Sequence, residues 1–268
     1  MAVAPAKVSV HTPSSTRTWR THFPDGDLWV FGYGSLIWKP PPHFDKRVPG
    51  HLNGYVRRFW QASADHRGTP EAPGRVVTVI ERSFWETLND PQAYLETSPD
   101  SAVWGVAYHI PASHAEEVHD YLDIREINGY TVHYTPFYPV APESSGENGL
   151  AGAGVPMTCM VYIGLPTNTQ FLRDPAERDP DAVARVISVS HGQSGKNTEY
   201  LYLLEKALEG IGLGSADGHV TDLVKRVRAL EEKKLADEEE EEAERKTKKA
   251  FEPGKTETQS HAEFPRAE

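Results

Sequence analysis

The 268-residue chain has one cysteine, Cys159. A single thiol closes no internal disulfide and builds no multi-cysteine metal site, which fits a reducing compartment. The chain also lacks an apolar run long enough to cross a bilayer. Cations are short: 28 Lys and Arg stand against 39 Asp and Glu, for a formal net charge of -11. Such an acidic chain suits neither nucleic acid nor an anionic membrane surface as its main partner. No internal repeat is present. What is there, 38% hydrophobic and 25% charged residues, suits one packed core with polar tails in the cytoplasm.

The two ends are expected to stand apart from that core. Residues 1–27 read as a disordered arm. Met1 to Arg20 carries Lys7, Arg17 and Arg20 without an acid, as a mitochondrial transit peptide does, but Pro5 and Pro13 interrupt any amphipathic helix. Residues 234–268, with the acidic block Asp237 to Glu242, have too few apolar side chains to pack and read as a solvated or disordered charged tail. Residues 28–233 are left as one folded domain.

Within it, Trp29 to Tyr33, Tyr55 to Ala62, Arg75 to Ile80, Val103 to Ile110, Tyr130 to Thr135 and Met157 to Gly164 have the aromatic and β-branched content of strands. Ser113 and Glu116 have capping-box spacing, and Val118, Tyr121, Leu122 and Arg125 then share a helix face until Asn128-Gly129 stops it. Asp179-Pro180 opens another helix, Asn197 to Glu209 is a third, and His219 to about Leu235 a fourth. Phe84 to Ser101 and Glu143 to Pro156 read as loops. Strands early and helices late argue an α+β fold.

Several stretches imitate known chemistry and fail on spacing. Gly192 to Asn197 lacks the first glycine and the hydroxyl of a phosphate loop. His114 and His119 are five apart, where a zinc-protease helix needs four. Ser35 is flanked by Tyr33 and Ile37 where a nucleophile elbow needs glycines. Cys159 sits mid-strand among apolar residues and reads as a core hydrophobe.

Two segments survive. In Phe31-Gly-Tyr-Gly-Ser-Leu36 a strand ends in closely spaced glycines, which permit positive φ and let a ligand approach backbone N–H groups. An ordinary tight turn has the same signature. In Tyr121 to Tyr130, Glu126 lies at the C-terminal end of a helix, where the dipole disfavours a negative side chain. With partial burial its proton affinity would rise toward that of a general base. A solvated glutamate at a helix end fits the same pattern.

Taken in order, Phe31-Gly-Tyr-Gly-Ser-Leu-Ile-Trp38, Arg57-Arg-Phe-Trp-Gln61, Asp65-His-Arg-Gly68, Pro73-Gly-Arg-Val-Val-Thr78, Val103-Trp-Gly-Val-Ala-Tyr108, Tyr121-Leu-Asp-Ile-Arg-Glu126, Gly129-Tyr130 and Ser194-Gly-Lys-Asn-Thr-Glu-Tyr-Leu201 resemble the ChaC family of glutathione-specific γ-glutamyl cyclotransferases. The resemblance covers roughly residues 28 to 230. It implies a small mixed, barrel-like sheet flanked by helices, with C-terminal helices. It also implies a γ-glutamyl binding loop of Val30, Phe31, Gly32, Tyr33, Gly34 and Ser35, with Glu126 as catalytic acid/base. Glu117 aligns with a second family glutamate. No metal or cofactor is implied. The substrate would be glutathione, split into 5-oxoproline and Cys-Gly, or alternatively another γ-glutamyl amine or γ-glutamyl amino acid. Arg67 and Arg75 are candidates for the glycine carboxylate, since guanidinium pairs well with carboxylate.

Overall fold

The computed structural model describes residues 19–96, 102–126, 129–140, 154–212 and 215–251. The chain divides into two units, Met1–Val227 and Arg228–Glu268. In the first unit five strands close a barrel: β1 Leu28–Gly32, β2 Lys46–Asn53, β5 Ala102–Ile110, β6 Tyr130–Pro139 and β7 Met157–Gly164, in the order β1-β5-β2-β6-β7. Neighbours run antiparallel except at the closing seam, where Val30 of β1 pairs in parallel with Met160 of β7. Leu28, Val30, Leu52, Val106, Ile110, Phe137, Met160 and Val161 are buried on its strands. Burial of such side chains is the main favourable term in folding. Cys159 is buried here, and burial pushes its thiol well above the ordinary range.

The α+β expectation holds, and one strand of the barrel was not expected. β2, Lys-Arg-Val-Pro-Gly-His-Leu-Asn, carries charge, proline and glycine where strands favour branched residues. Gly50 is there because a Cβ would press on Cζ and Cε2 of Phe137 and on the Tyr138 carbonyl. Pro49 contributes its carbonyl, which accepts from Val140 N at 3.0 Å.

Beside the barrel, β3 Tyr55–Ser63 and β4 Gly74–Glu81 form an antiparallel hairpin with a register shift between Arg58 and Gln61. The hairpin is pinned to the barrel at Thr78, among other places. Thr78 Oγ1 donates to the Gly164 carbonyl at 3.0 Å and accepts from Gly164 N at 3.0 Å. Its outer face buries Val56, Trp60 and Ile80 against Trp85, Phe171 and Leu172.

The helices are α1 Trp19–His22, α2 Arg82–Trp85, α3 Ala115–Arg125, α4 Pro175–Arg178, α5 Pro180–Val189, α6 Asn197–Glu209 and α7 Gly218–Phe251. α5 starts as its sequence predicts: Asp179 Oδ1 accepts from Asp181 N and Ala182 N, both at 3.0 Å, with Pro180 in the first turn. α3 does not. Its N-cap is His114, without a side-chain cap bond, and Glu116 turns away to pair with Arg20. Between α5 and α6 a small hairpin, β8 His191–Gly192 with β9 Gly195–Lys196, turns at Gly195, whose φ is +105°. Asn197 Oδ1 then accepts from Arg75 N at 2.6 Å while its Nδ2 donates to Arg75 O at 2.8 Å, fixing α6 to β4. Among the described residues no helix is long and apolar enough to cross a membrane.

Parts of both expected tails are described, and they carry structure. Residues 1–18 lie outside the described residues, but the remainder of the arm is packed: Trp19 and Phe23 are buried, and Arg20 covers the Trp19 ring at 4.5 Å. An indole has too much apolar area to stay in water when a groove is at hand. At the other end α7 continues past Leu235 to Phe251. Its side chains from Glu232 to Lys248 are exposed, and Lys234–Glu238, Glu241–Arg245 and Glu242–Lys246 have the i,i+4 spacing that supports a solvated helix. Phe84 to Ser101 begins with the last two residues of α2 and holds a 3-10 turn at Ala93–Leu95, with 97–101 outside the described residues; 143–153 of the second expected loop are also outside them.

Arg58 is a wholly buried cation. Its Nε donates to Asp90 Oδ2 at 2.7 Å and its Nη1 to Glu96 Oε1 at 2.7 Å, and its guanidinium lies over Trp85 at 5.3 Å. Asp90 also accepts from Trp85 Nε1 at 2.8 Å and Gln92 N at 2.8 Å. Asp90→Ala should therefore cost about 3 kcal/mol by leaving a buried cation half-paired. Urea unfolding at matched slope measures it, and a loss under about 1 kcal/mol would show that Glu96 alone suffices.

Candidate active site

Glu126 is the first residue beyond α3. Its backbone has φ -94° and ψ 37°, and its N–H donates to Leu122 O at 2.8 Å. Gly129 follows with φ +85°, a conformation that suits glycine and redirects the chain into β6; 127–128 lie outside the described residues. This turn sets the Glu126 carboxylate where two cavities meet. The outer one, of about 450 Å³, is walled by the β3–β4 loop (Asp65, His66, Arg67), by Trp38 and Lys39, by Ser194 and by Tyr200. The inner one, of about 40 Å³, is lined by Phe31, Tyr33, Gly34, Val77, Tyr130 and Tyr162. Ser35, Glu126, Tyr130 and Tyr200 border both.

Four phenols surround the inner cavity, and each is placed by a different element. Tyr33 OH donates to Tyr162 O at 2.7 Å, Tyr130 OH to Val77 O at 2.7 Å, and Tyr162 OH to Asp123 Oδ1 at 2.8 Å. The Tyr200 ring meets Trp38 edge-on at 5.4 Å. Burial, with Glu126 adding to it, raises all four phenols above their ordinary range, so they stay neutral.

The Glu126 carboxyl is pushed up by burial. Arg125 and His66 oppose this in part. Arg125 Nε stands 3.4 Å from Glu126 Oε1. The same guanidinium reaches across to the glycine loop: Nη1 donates to Lys39 O at 2.8 Å and Nη2 to Ser35 Oγ at 3.2 Å. The expected rise in proton affinity is thus present, with burial as its cause.

Of the loop residues singled out in the sequence, Phe31, Tyr33, Gly34 and Ser35 reach the cavities. Val30 and Gly32 do not. Val30 is wholly buried in the barrel, and a Cβ on Gly32 would stand 2.5 Å from Leu36 Cβ. Neither Gly32 nor Gly34 has positive φ; Gly34 lies at φ -129°. Both glycines serve close approach instead. A Cβ on Gly34 would meet Val77 Cγ2 at 2.9 Å and Tyr200 OH at 3.0 Å. Ser35 opens a 3-10 turn, Ser35–Ile37, whose first N–H groups have no partner within the turn.

The two candidate arginines part company. Arg67 lines the outer cavity, its Nη1 donating to Glu199 Oε2 and Lys196 O, both at 2.8 Å. Arg75 lies in a different cavity, with Gln170 and Glu177, because successive strand residues face opposite ways and its neighbour Val76 takes the site side. Glu117 is exposed at the far end of α3. His66, whose Nδ1 is 2.9 Å from Ser194 Oγ, and Arg125 were given no role from sequence. Both stood inside quoted motifs, yet nothing local said that loops 128 residues apart would meet.

A family model described as ChaC-like protein matches residues 28–230. The chain belongs to the ChaC-like family. The glutathione-specific gamma-glutamylcyclotransferase of Schizosaccharomyces pombe is 43% identical over 211 residues, covering 78% of this chain and 96% of that protein. The Saccharomyces cerevisiae protein of the same name is 41% identical over 217 residues, covering 73% and 91%. A crystal structure of a yeast gamma-glutamyl cyclotransferase specific to glutathione superposes with a TM-score of 0.68 at 38% identity, over 76% of this chain and 96% of that one. Members of the family are enzymes of the cyclotransferase type, and this ChaC-like chain is one.

Because the Glu126 carboxyl has its pKa raised above 4.5 by burial, the native state holds its proton more tightly than the unfolded chain. The group then lowers stability as pH rises from about 4.5 through the native value. Glu126→Gln removes this penalty. The variant should melt higher than the parent at pH 7, with the gain vanishing below pH 4.5; a lower melting point at pH 7 would mean that the ionised carboxylate is stabilising.

Proposed function

We propose that this chain is a glutathione-specific γ-glutamyl cyclotransferase with Glu126 as its acid/base. The observation that carries the reading is a half-buried carboxylate of raised proton affinity at the junction of a wide polar cavity and a narrow one edged by the glycine loop. The outer volume is in the range of small-molecule sites.

Glutathione holds its own nucleophile. The α-amine of the γ-glutamyl unit attacks the side-chain amide carbonyl carbon, and a five-membered lactam closes as the C–N bond to cysteine breaks. The amine enters as an ammonium and must first lose a proton. Glu126 takes it, then delivers a proton to the departing cysteinyl nitrogen, so that 5-oxoproline and Cys-Gly leave and the carboxylate is restored. Burial suits both halves of that task, since a carboxyl of raised pKa shares a proton with an amine more evenly than an exposed one.

In this reading the γ-glutamyl head enters beside Phe31, Tyr33, Gly34 and Ser35. First-turn N–H groups of the loop hold its carboxylate or the tetrahedral oxyanion. The Cys-Gly half lies in the outer cavity, with its terminal carboxylate toward Lys39, His66 and Arg67. Val30 and Gly32 act from behind by holding the loop's shape. Fixing the substrate folded makes the attack a positioned unimolecular step. The domain spans residues 28–233, preceded by the arm and followed by the charged tail. The cytoplasm is its proposed setting, in keeping with one buried thiol and no disulfide.

Purified protein incubated with glutathione should release 5-oxoproline, and far less from γ-Glu-Ala or γ-glutamyl-ε-lysine. Equal or faster release from either analogue would transfer the assignment to that substrate class; no release from any would overturn it. Neither metal nor protein thiol takes part in the scheme, so EDTA and Cys159→Ala should each leave turnover within about twofold. A tenfold loss that Zn²⁺ or Mg²⁺ restores would contradict this. A chain shortened to end at Lys233 should keep its rate and its KM; a raised KM would assign the tail to the site.

A further inference from the structure

Away from the cavities, three side chains converge on the face of α3 opposite its catalytic end. His114 caps the helix, Glu117 lies in its first turn, and His43 comes from the segment after Pro42. His43 Nε2 stands 3.5 Å from Glu117 Oε1, and His114 Nδ1 stands 3.5 Å from Glu117 Oε2. All three ligand atoms lie within 4.8 Å of one another. We propose that His43, His114 and Glu117 form a binding site for a borderline transition-metal cation of the Zn²⁺ class.

The donor set and its spacing carry the argument. Two imidazoles and one carboxylate are the ligands that Zn²⁺ takes when a fourth position is left to water. With metal–ligand bonds of about 2.0–2.2 Å, tetrahedral ligand atoms stand roughly 3.3–3.6 Å apart. Both measured separations fall in that interval without a shift of the backbone.

The backbone also brings the ligands together. His43 has φ +60°, a left-handed conformation uncommon for a non-glycine residue, and among the described residues it is the only such case. The two rings lie with centroids 4.1 Å apart and planes 6° from parallel, and rotation about their exposed side-chain bonds, with no backbone shift, turns both lone pairs onto one ion. Side-chain exposures of 41%, 42% and 66% leave room for a water ligand and an open path for the ion. The net charge of -11 draws cations in general.

The neighbouring cluster of His119, Asp120 and Asp123 is poorer in these respects. Asp123 already accepts from Tyr162 OH, and the His119 ring stacks on buried Trp19. Metal there would have to break packing that holds the site.

A bound ion would tie the segment leading from Ser35 through Lys39 to His43 against the start of α3. Arg125 ties the same segment to the end of that helix. The expected role is a clip that steadies the segment, separate from turnover, so the site stands whether or not the glutathione reading does.

Zn²⁺ binding to the full-length protein, measured by competition with a chromophoric chelator, should show one site of micromolar or tighter affinity. His43→Asn keeps a residue that tolerates the left-handed backbone, and Glu117→Gln is nearly isosteric. Each should weaken that site at least tenfold and abolish the rise in melting temperature that Zn²⁺ gives the parent. Circular dichroism of the metal-free variants secures that they are folded. Unchanged Zn²⁺ affinity in both variants, or no binding to the parent below 100 μM, would overturn the proposal.

Discussion

Glu126 is held between two opposed influences, and the arrangement of the site follows from how they are balanced. Burial among four phenols raises its proton affinity, while Arg125 at 3.4 Å pulls the other way. Without the arginine, burial would raise the carboxyl's proton affinity further. Without the burial, it would be an ordinary solvated acid. Arg125 cannot swing free to neutralise Glu126 fully, because its two Nη atoms are engaged by Lys39 O and Ser35 Oγ. One side chain thus adjusts the carboxylate and sets the distance between α3 and the glycine loop.

The rest of the domain supplies the walls. The barrel delivers the loop at the end of β1, the β3–β4 hairpin delivers Asp65, His66 and Arg67, and the Thr78–Gly164 bonds keep these two sheets in register. Asn197 fixes α6 to β4 and so places Tyr200 over both cavities. Tyrosines suit such walls because they are large and apolar, with one hydroxyl that can be satisfied by a backbone carbonyl. Here Tyr33 and Tyr130 do that, and Tyr162 uses Asp123.

Much of this was legible in the sequence, for reasons that differ by element. β1, β5 and β7 are apolar runs and α5 carries Asp179-Pro180 at its start, so local chemistry and final structure agree. Glu126 stood out because a helix end and a glycine stop bracket it. β2 was invisible: its Gly50 is called for by the close approach of Phe137 and the Tyr138 carbonyl, a fact of tertiary packing. The roles of Gly32 and Gly34 were half legible. Glycine spacing signalled a tight place, yet the reason is proximity to Leu36, Val77 and Tyr200 rather than backbone handedness. Trp19 shows the limit of composition, since a basic, proline-marked arm still ends in a buried indole.

The claim on which everything turns is that the Glu126 carboxylate moves the proton and does not merely shape the pocket. The direct measurement pairs glutathione affinity by calorimetry with 5-oxoproline release for Glu126→Gln, beside Asp123→Asn as the neighbouring carboxylate that holds Tyr162. The account predicts near-parental affinity in Glu126→Gln with turnover lower by about a hundred- to ten-thousandfold, and far milder loss in Asp123→Asn. Turnover near the parental rate in Glu126→Gln would contradict it.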